Sequence, residues 1–313
     1  MGKASRNKQE FGGRREKIAA QRAAAKRAEQ RRNGLLIAGG AIIVVIAVVV
    51  TFIVVKTNKH TTTASPGATI SGAPTGANLT STLATVTSVP TAKTDAVGTG
   101  GSAVTKPQTI TGNAATLTSG GKPEMLYIGA EYCPYCAAER WAMIVALSRF
   151  GTFSGIAPMR SSSSDVYAST PTWTFANATF TSKYVSFSPV EMYTDTPTSA
   201  GGYTTLETPT SAQLALFKQY DAPPYVSSSA DDESYPFVDF GNKYVIVGSS
   251  YSPQVLDGLS WTTIASDLTN SSSDVAQGVD GTANYMTAAL CKLTNNLPAS
   301  ACTSTIQGLE SSI

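Results

Sequence analysis

The sequence predicts an α/β fold, and three features of the chain indicate it. An apolar run of strand character, residues 125–130, leads directly into the motif Cys-Pro-Tyr-Cys at residues 133–136. Residues 137–147 follow with strong helix formers and with apolar residues at helical spacing. Farther along, residues 235–248 place apolar runs on both sides of a Gly-Asn pair, which is typical of a β-hairpin, here entered through a proline.

The cysteine motif predicts redox chemistry. It lies where a strand enters a helix, and the unpaired N–H groups and dipole of a helix N-terminus favour negative charge there. Because a thiolate is the nucleophile of thiol–disulfide exchange, Cys133 is the expected attacking residue and Cys136 the resolving one.

The same cysteine spacing also occurs in inert disulfides and in half of a zinc site. A zinc site would need two more Cys or His ligands, but the single histidine, His60, lies beside a predicted membrane segment. We therefore expect no metal and no other cofactor. A copper carrier is disfavoured for the same reason, because it would need a nearby histidine ligand.

These residues carry a resemblance to a known superfamily. Residues 132–136, with the strand before and the helix after them, resemble the active-site segment of the thioredoxin superfamily, and the Pro-Tyr pair is the one found in glutaredoxins. The resemblance implies a cis-proline just before a strand and facing the cysteines, and Pro236 stands at that place. Residues 128–141 are also similar to a prokaryotic family of membrane-anchored proteins that is classified only as a domain of unknown function within the thioredoxin-like fold. This similarity extends over about residues 106–268, and it implies a fold and a chemistry but no substrate.

Two departures from thioredoxin itself concern the proton acceptor and the length of the domain. Thioredoxin keeps a buried carboxylate six residues before its first cysteine, whereas Tyr127 stands at that place here, and Glu131 is the nearest alternative. The segment that leads to Pro236 is far longer than in a minimal thioredoxin, which implies an insertion at about residues 160–230. The aromatic residues of this segment, at strand spacing, are expected to pack in the core, the alternative being a groove for an extended substrate.

The beginning of the chain predicts a membrane anchor followed by a tether. Residues 34–55 are 22 consecutive uncharged positions. As a helix they would extend about 33 Å and cross a bilayer once. A buried strand is several times shorter, and the apolar region of a cleaved signal peptide is shorter and lies nearer the N-terminus. Residues 56–105 are rich in Ser, Thr, Ala and Gly and offer little apolar surface to bury, so they predict a flexible, disordered linker.

The charge distribution predicts the orientation in the membrane. Residues 1–33 hold eleven Lys or Arg and three Glu, a net charge of +8, whereas residues 61–313 carry a net charge of −8. The positive-inside rule therefore predicts a single-pass protein of the cell membrane, with its N-terminus in the cytoplasm and residues 106–313 outside it. Beside a membrane span, a basic segment more often contacts anionic lipid headgroups than nucleic acid, so residues 1–55 are expected to contact lipid.

A second cysteine pair, Cys291 and Cys302, is expected to form a structural disulfide. Cys291 lies in a predicted helix and Cys302 follows a Leu-Pro break. Disulfides persist in the oxidising setting outside the membrane. The alternative is a second redox relay, which the absence of any strand-to-helix context around this pair disfavours.

The predicted protein is thus a thioredoxin-like α/β domain with a long insertion, preceded by a single transmembrane helix and a disordered linker. The predicted function is that of a membrane-tethered, extracytoplasmic thiol–disulfide oxidoreductase with Cys133, Cys136 and Pro236 as its catalytic residues. Its expected partners are protein thiols or disulfides and a membrane redox protein, and no nucleic acid. The alternative is a non-catalytic thioredoxin-fold binding or scaffold module, in which the two cysteines form a permanent disulfide.

Overall fold

The computed structural model describes residues 70–101, 104–227 and 233–313, which combine β-sheet with seven α-helices. The predicted mixed α/β class is therefore confirmed. The basic segment 1–33 and the predicted membrane span 34–55 lie outside the described residues. Within the described residues 70–101, 104–227 and 233–313, no helix is both long enough and apolar enough to cross a bilayer.

Helices begin and end the described part of the chain, and single helices separate the groups of strands between them. The helices are α1 (Gly76–Thr87), α2 (Thr91–Val97), α3 (Pro134–Ser148), α4 (Ser211–Tyr220), α5 (Trp261–Asp267), α6 (Asp274–Leu293) and α7 (Ser304–Glu310). The strands are β1 (Gln108–Thr109), β2 (Thr118–Ser119), β3 (Lys122–Gly129), β4 (Gly151–Ser154), β5 (Ala157–Arg160), β6 (Pro171–Thr174), β7 (Thr179–Ser182), β8 (Ser186–Glu191), β9 (Tyr193–Pro197), β10 (Tyr203–Thr205), β11 (Phe237–Phe240) and β12 (Tyr244–Val247). A short 3₁₀ helix, Pro253–Leu256, lies between β12 and α5.

One six-stranded sheet organises the domain around β3. The strand order is β1-β12-β11-β3, and β2 and β8 share the other edge of β3. β8 runs parallel to β3 over its whole length, while the other pairings are antiparallel. Parallel neighbours need a long crossover connection, and α3 lies in the connection from β3 to β8, so these three elements form a βαβ unit.

Both faces of the sheet are covered, which makes the centre of the domain a three-layer arrangement. Along β3, Met125 and Tyr127 face a large core that also contains α3 and α6. The alternate residues Leu126 and Ile128 face a second core that contains Phe217 of α4. A strand buried on both faces is expected to be apolar at consecutive positions, which explains the uninterrupted apolar run before the cysteines.

The predicted hairpin is formed by β11 and β12. Three residues separate Phe240 from its strand partner Tyr244. The first two, Gly241 and Asn242, have positive φ angles of 62° and 56°, which Gly and Asn tolerate better than other residues. On the other side of β11, Phe237 pairs with Ile128 of β3. This register brings the preceding residue, Pro236, beside the end of β3 that leads into the cysteine motif.

The prediction of a disordered linker over residues 56–105 is wrong for its second half. Helices α1 and α2 form there, and they bury Val86 and Val97 against the domain. The side chain of Asn284 in α6 also donates a hydrogen bond to the carbonyl oxygen of Thr94, at 2.7 Å. A few apolar residues at helical spacing are sufficient here because the neighbouring helices supply the rest of the core.

The prediction of one insertion at residues 160–230 is also incorrect. The segment contains β8, which belongs to the main sheet, and α4, which covers one of its faces. β8 contains Pro189, which is tolerated because β8 is an edge strand that pairs only with β3 among the described strands. The additions to the central layers are instead two small sheets between α3 and β8, formed by β4 with β7 and by β5 with β6, and the hairpin β9–β10.

Most of the aromatic residues between α3 and β8 are in the core rather than in a groove. Trp173 and Phe175 are fully or almost fully buried. Trp173 packs edge-to-face on Trp141 of α3, with ring centroids 5.4 Å apart. The indole N–H of Trp141 in turn donates to the carbonyl oxygen of Pro171 at 2.9 Å, so these added strands are fixed to the helix that carries the cysteine motif.

Cys291 and Cys302 form a disulfide bond, with an S–S distance of 1.97 Å and a Cα–Cα distance of 5.8 Å. The bond links the last turn of α6 to the segment just before α7. It lies in the large core and far along the chain from the motif at residues 133–136.

Candidate functional site

Cys133 and Cys136 lie together at the N-terminus of α3. Cys133 is the N-cap residue, and its Sγ accepts a hydrogen bond from the backbone N–H of Cys136 at 3.3 Å. Pro134 occupies the first helical position, where its missing N–H costs nothing. Both cysteines are free thiols. Cys133 keeps 6% of its surface exposed and Cys136 none, so Cys133 is the sulfur that a reaction partner can reach.

Pro236 is brought to the same place from β11. The peptide bond between Tyr235 and Pro236 is cis. The Cys133 thiol lies 3.8 Å from the carbonyl oxygen of Tyr235, toward which it donates. The three residues that the sequence singled out as catalytic, Cys133, Cys136 and Pro236, are therefore neighbours at one end of the main sheet.

Tyrosine side chains surround the cysteine pair. The apolar cluster at this end of the domain consists of Ala130, Cys133 and Cys136 with Tyr132, Tyr135, Tyr193 and Tyr235 packed around them. Tyr132 precedes Cys133 in the sequence, and Tyr135 lies between the two cysteines. Tyr235 precedes Pro236, and Tyr193 begins β9. They explain why an N-cap position that would otherwise open to solvent leaves so little of Cys133 exposed.

The hairpin β9–β10 covers the residue before Cys133. Tyr203 of β10 stacks on Tyr132 with ring centroids 4.0 Å apart and ring planes within 5° of parallel. The Tyr203 hydroxyl lies 2.7 Å from Oγ of Ser162, whose backbone N–H donates to the Tyr132 carbonyl oxygen at 2.9 Å. The β9–β10 hairpin and the segment after β5 that contains Ser162 thus both contact the residue that precedes Cys133. We call the ring pair of Tyr132 and Tyr203 the tyrosine stack.

A buried ion pair that the sequence reasoning missed lies below the motif. Nε of Arg140 donates to Oε1 of Glu191 at 2.8 Å, and Nη2 donates to Oε2 at 2.7 Å. Nη2 also donates to the carbonyl oxygen of Ala130 at 2.8 Å. Both charged side chains are completely buried. Glu191 is the last residue of β8 and pairs with Gly129, so its strand register fixes it beside the loop that carries the cysteines.

Tyr127 extends from β3 into this ion pair. Its hydroxyl donates to Oε2 of Glu191 at 3.4 Å, and the guanidinium of Arg140 lies 5.9 Å from its ring centroid. The ring passes over Gly129, where an added Cβ would overlap the Tyr127 hydroxyl group. Burial raises the pKa of Tyr127 well above its ordinary value, so the hydroxyl remains a donor. A carboxylate thus reaches the side chain of Tyr127 from the neighbouring strand β8.

The ionisation of Cys136 depends on these neighbours. Burial raises the pKa of the Cys136 thiol well above its ordinary value, and the adjacent Cys133 raises it further. The charge of Arg140 acts in the opposite direction and lowers it. Arg140 follows Cys136 by four residues on the same helix, which places the two side chains on one face.

Glu131 was the carboxylate that the sequence suggested as a proton acceptor. Its Oε1 accepts a hydrogen bond from the Thr174 hydroxyl at 2.5 Å, and its backbone N–H donates to the Tyr193 carbonyl oxygen at 2.8 Å. Burial raises the pKa of Glu131, and the hydrogen bond from Thr174 opposes this rise. The side chain therefore connects the motif to β6, whereas the carboxylate directly paired below the motif is that of Glu191.

A second buried carboxylate in α3, Glu139, ties the helix to the segment after β12. It accepts hydrogen bonds from the backbone N–H and the hydroxyl of Ser250, at 2.8 and 2.9 Å. Burial raises the pKa of Glu139 to about 7, although both hydrogen bonds lower it. Across residues 70–101, 104–227 and 233–313, no group of three or more His, Cys, Asp or Glu side chains is arranged to hold a metal ion.

The sequence contained a signal for part of this network. Glu139 and Arg140 stand within residues 137–147, which are otherwise apolar on every helical face. A helix apolar all round is buried, and a buried charge requires a partner. That reasoning predicts a partner for Arg140 but does not say which carboxylate, because Glu191 becomes a neighbour only through the pairing of β8 with β3.

Comparison with known proteins relates most of the described domain to a protein family. The model of a protein family described as a domain of unknown function (DUF929) matches residues 110–292, which is more than half of the chain. No curated protein and no solved structure matches the chain.

Proposed function

The chain belongs to the family described as a domain of unknown function (DUF929), and we propose that it is a membrane-tethered, extracytoplasmic thiol–disulfide oxidoreductase with a thioredoxin-like fold. One observation carries the proposal. Two free thiols share the N-terminus of a helix, and the Sγ of the first accepts a hydrogen bond from the backbone N–H of the second. This is the geometry in which an attacking and a resolving cysteine can close a disulfide.

The topology supports the thioredoxin-like assignment. A Cys-x-x-Cys motif at the start of the helix of a βαβ unit is typical of thioredoxin-like redox proteins, and here the unit is β3-α3-β8. The resemblance of the sequence to that superfamily also implied a cis-proline before a strand that faces the cysteines. The cis peptide before Pro236 and its position at the start of β11 agree with that expectation.

The proposed chemistry is an exchange of two electrons between the domain and a protein disulfide or dithiol. In the reducing direction, the Cys133 thiolate attacks one sulfur of a substrate disulfide. The substrate S–S bond breaks, the other substrate sulfur leaves as a thiolate and takes up a proton, and a mixed disulfide with Cys133 forms. The Cys136 sulfur then attacks Sγ of Cys133, the substrate sulfur leaves, and the two cysteines become a disulfide. The backbone N–H of Cys136 and the N-terminus of α3 would stabilise the negative charge on Cys133 in this scheme.

Two observations support a location outside the cytoplasm. The Cys291–Cys302 disulfide fits an oxidising compartment, since cytosolic proteins seldom keep structural disulfides. The charge difference between residues 1–33 and 61–313 supports the orientation in which the uncharged segment 34–55 anchors the chain. A redox protein of the same membrane would restore the cysteine pair after each exchange.

The test is a single-turnover exchange with a peptide disulfide as substrate. The reduced full chain is expected to release both peptide thiols. Cys136→Ala is expected to stop at a mixed disulfide that carries one peptide on Cys133, and Cys133→Ala, which keeps the other thiol, is the matched control and is expected not to react. The proposal is refuted if the reduced wild type exchanges nothing, or if Cys133→Ala forms the mixed disulfide as readily as Cys136→Ala.

The alternative is a binding or scaffold module in which the two cysteines form a permanent disulfide. The low exposure of both sulfurs favours this alternative. Against it, both cysteines are thiols in the structure, and an inert pair needs neither a proline beside it nor a charged pair below it.

A further inference from the structure

The buried ion pair below the motif has a donor that is not used. Nη1 of Arg140 is buried and has no hydrogen-bond partner in the described part of the chain. Its other two guanidinium nitrogens are occupied, by Glu191 and by the carbonyl oxygen of Ala130. A buried donor without an acceptor is unfavourable, so its presence suggests that an acceptor forms during the working cycle of the protein.

The position of Arg140 identifies a nearby acceptor. Arg140 and Cys136 lie one helical turn apart on the same face of α3. The Ala130 carbonyl oxygen that Arg140 contacts also accepts the backbone N–H of Cys133, at 3.2 Å. The guanidinium is therefore attached to the loop that positions the cysteines. In this fully buried place the group that gains a negative charge during exchange is the Cys136 sulfur.

We propose that Arg140 is a positioning residue for the resolving step: its charge and its unused Nη1–H group stabilise the Cys136 thiolate, and Glu191 holds the guanidinium in place. This inference rests on the proposed exchange chemistry. A fully buried thiol has no water to stabilise its anion, and a cation one turn away supplies that stabilisation where the local dielectric constant is low. Two contacts from Glu191 fix the guanidinium plane in the manner of a bidentate pair.

The step balances without a further reactant. Cys136 loses its proton, and its Sγ attacks Sγ of Cys133 in the mixed disulfide. The bond between Cys133 and the substrate sulfur breaks, and the substrate sulfur leaves with the electron pair and takes up one proton. The domain is oxidised from a dithiol to a disulfide, and the substrate disulfide is reduced to two thiols.

The experiment measures the resolving step alone as a function of pH. The probe is an aryl disulfide that releases a coloured thiol, added to the reduced full chain. The first equivalent of colour reports formation of the mixed disulfide on Cys133, and the second reports attack by Cys136. In Arg140→Met, the pH midpoint of the second release is expected to rise by about one unit, which is about a tenfold lower rate at a fixed pH below both midpoints.

Glu191→Gln provides a readout that a merely structural role would not move. Without the carboxylate, the charge of Arg140 is uncompensated, so the midpoint of the second release is expected to fall rather than rise. Arg140→Lys keeps the charge and is expected to recover part of the wild-type profile. If the ion pair only supported the fold, Arg140→Met and Glu191→Gln would both reduce stability. The pH midpoint of the second release would then be the same in each variant as in the wild type.

Two further measurements keep the inference falsifiable. Arg140→Met leaves a buried carboxylate unpaired, so Arg140→Met/Glu191→Met is made as well, because replacing both members of a buried pair is often tolerated. This double variant is expected to raise the pH midpoint of the second release, as Arg140→Met does. The thiolate absorbance of Cys136 is also titrated in Cys133→Ser, with and without Arg140→Met, which requires no exchange at all.

The outcomes separate the two proposals. If the wild type releases no first equivalent, the exchange function fails, while the thiolate titration still decides whether Arg140 favours ionisation of Cys136. If exchange proceeds and Arg140→Met changes neither the second release nor the titration, the inference about Arg140 is wrong and the exchange function is unaffected.

Discussion

The clearest quantitative prediction concerns the pH dependence of stability and the buried carboxyl group of Glu139. The substitution is Glu139→Gln, which keeps the shape of the side chain. The amide oxygen can still accept the backbone N–H of Ser250, and the amide NH₂ can donate to the Ser250 hydroxyl. The substitution therefore removes the titration with little change in packing.

The magnitude follows from the shift in pKa. Burial raises the pKa of Glu139 from its ordinary value of 4.5 to about 7. Between these two values the folded state keeps the proton and the unfolded state releases it, so the free energy of unfolding falls as pH rises and is constant above about 7. A shift of about 2.5 units corresponds to about 3 kcal/mol.

The assay is urea unfolding of the full chain, followed by tryptophan fluorescence at several pH values between about 4 and 8. The wild type is expected to lose stability over this range, with further contributions from Asp239 and Asp280, whose pKa values burial also raises to about 7. Glu139→Gln is expected to lose about 3 kcal/mol less than the wild type. Asp257→Asn, which changes an exposed carboxyl group, is the matched control. If Glu139→Gln and the wild type lose stability in parallel, the assigned burial of a charge at this position is wrong.

Three further predictions concern other contacts of the domain. Tyr203→Ala opens the tyrosine stack and is expected to raise the rate of alkylation of Cys133 by a bulky maleimide by up to about tenfold, with a smaller effect for iodoacetamide; equal rates for the variant and the wild type would contradict the covering role of β9–β10. Gly129→Ala is expected to cost about 1 to 3 kcal/mol in thermal unfolding, because the added Cβ would overlap the tyrosine two residues earlier, and an unchanged melting temperature would contradict this. Replacing Cys291 and Cys302 by Ala is expected to lower the free energy of unfolding by about 3 kcal/mol relative to the oxidised wild type, as the closure of a short loop implies, and by less relative to the reduced wild type; equal stability of the variant and the oxidised wild type would contradict this.

Local patterns in the sequence predicted the elements that carry the cysteine motif. The strand before the cysteines, the helix after them and the hairpin after Pro236 all have strong periodic or turn signals, and all three are present. The Thr-x-x-Gln pattern at residues 210–213 and the Ser-Pro pair at residues 252–253 are local signals of the same kind, and a capping box and the start of the 3₁₀ helix lie there. Such signals depend on residues close in sequence, which is why they can be recognised without a structure.

Contacts between distant residues were not predictable in the same way. The sequence indicates that Arg140 needs a buried partner, but Glu191 lies 51 residues later and meets it only through the parallel pairing of β8 with β3. The tyrosine stack is a similar case, since Tyr203 reaches Tyr132 only because the β9–β10 hairpin folds back over the motif. The helices in the Ser/Thr-rich segment were missed because their stability comes from packing against other helices and not from their own composition.

The most direct test of the central claim is the reduction potential of the Cys133–Cys136 pair in the full chain, measured by equilibration with glutathione buffers. We expect a value between about −270 mV and about −120 mV, the range of thiol–disulfide oxidoreductases, with the pair cycling between thiols and disulfide. A value well below about −300 mV, typical of structural disulfides, would contradict the oxidoreductase function and favour the scaffold alternative.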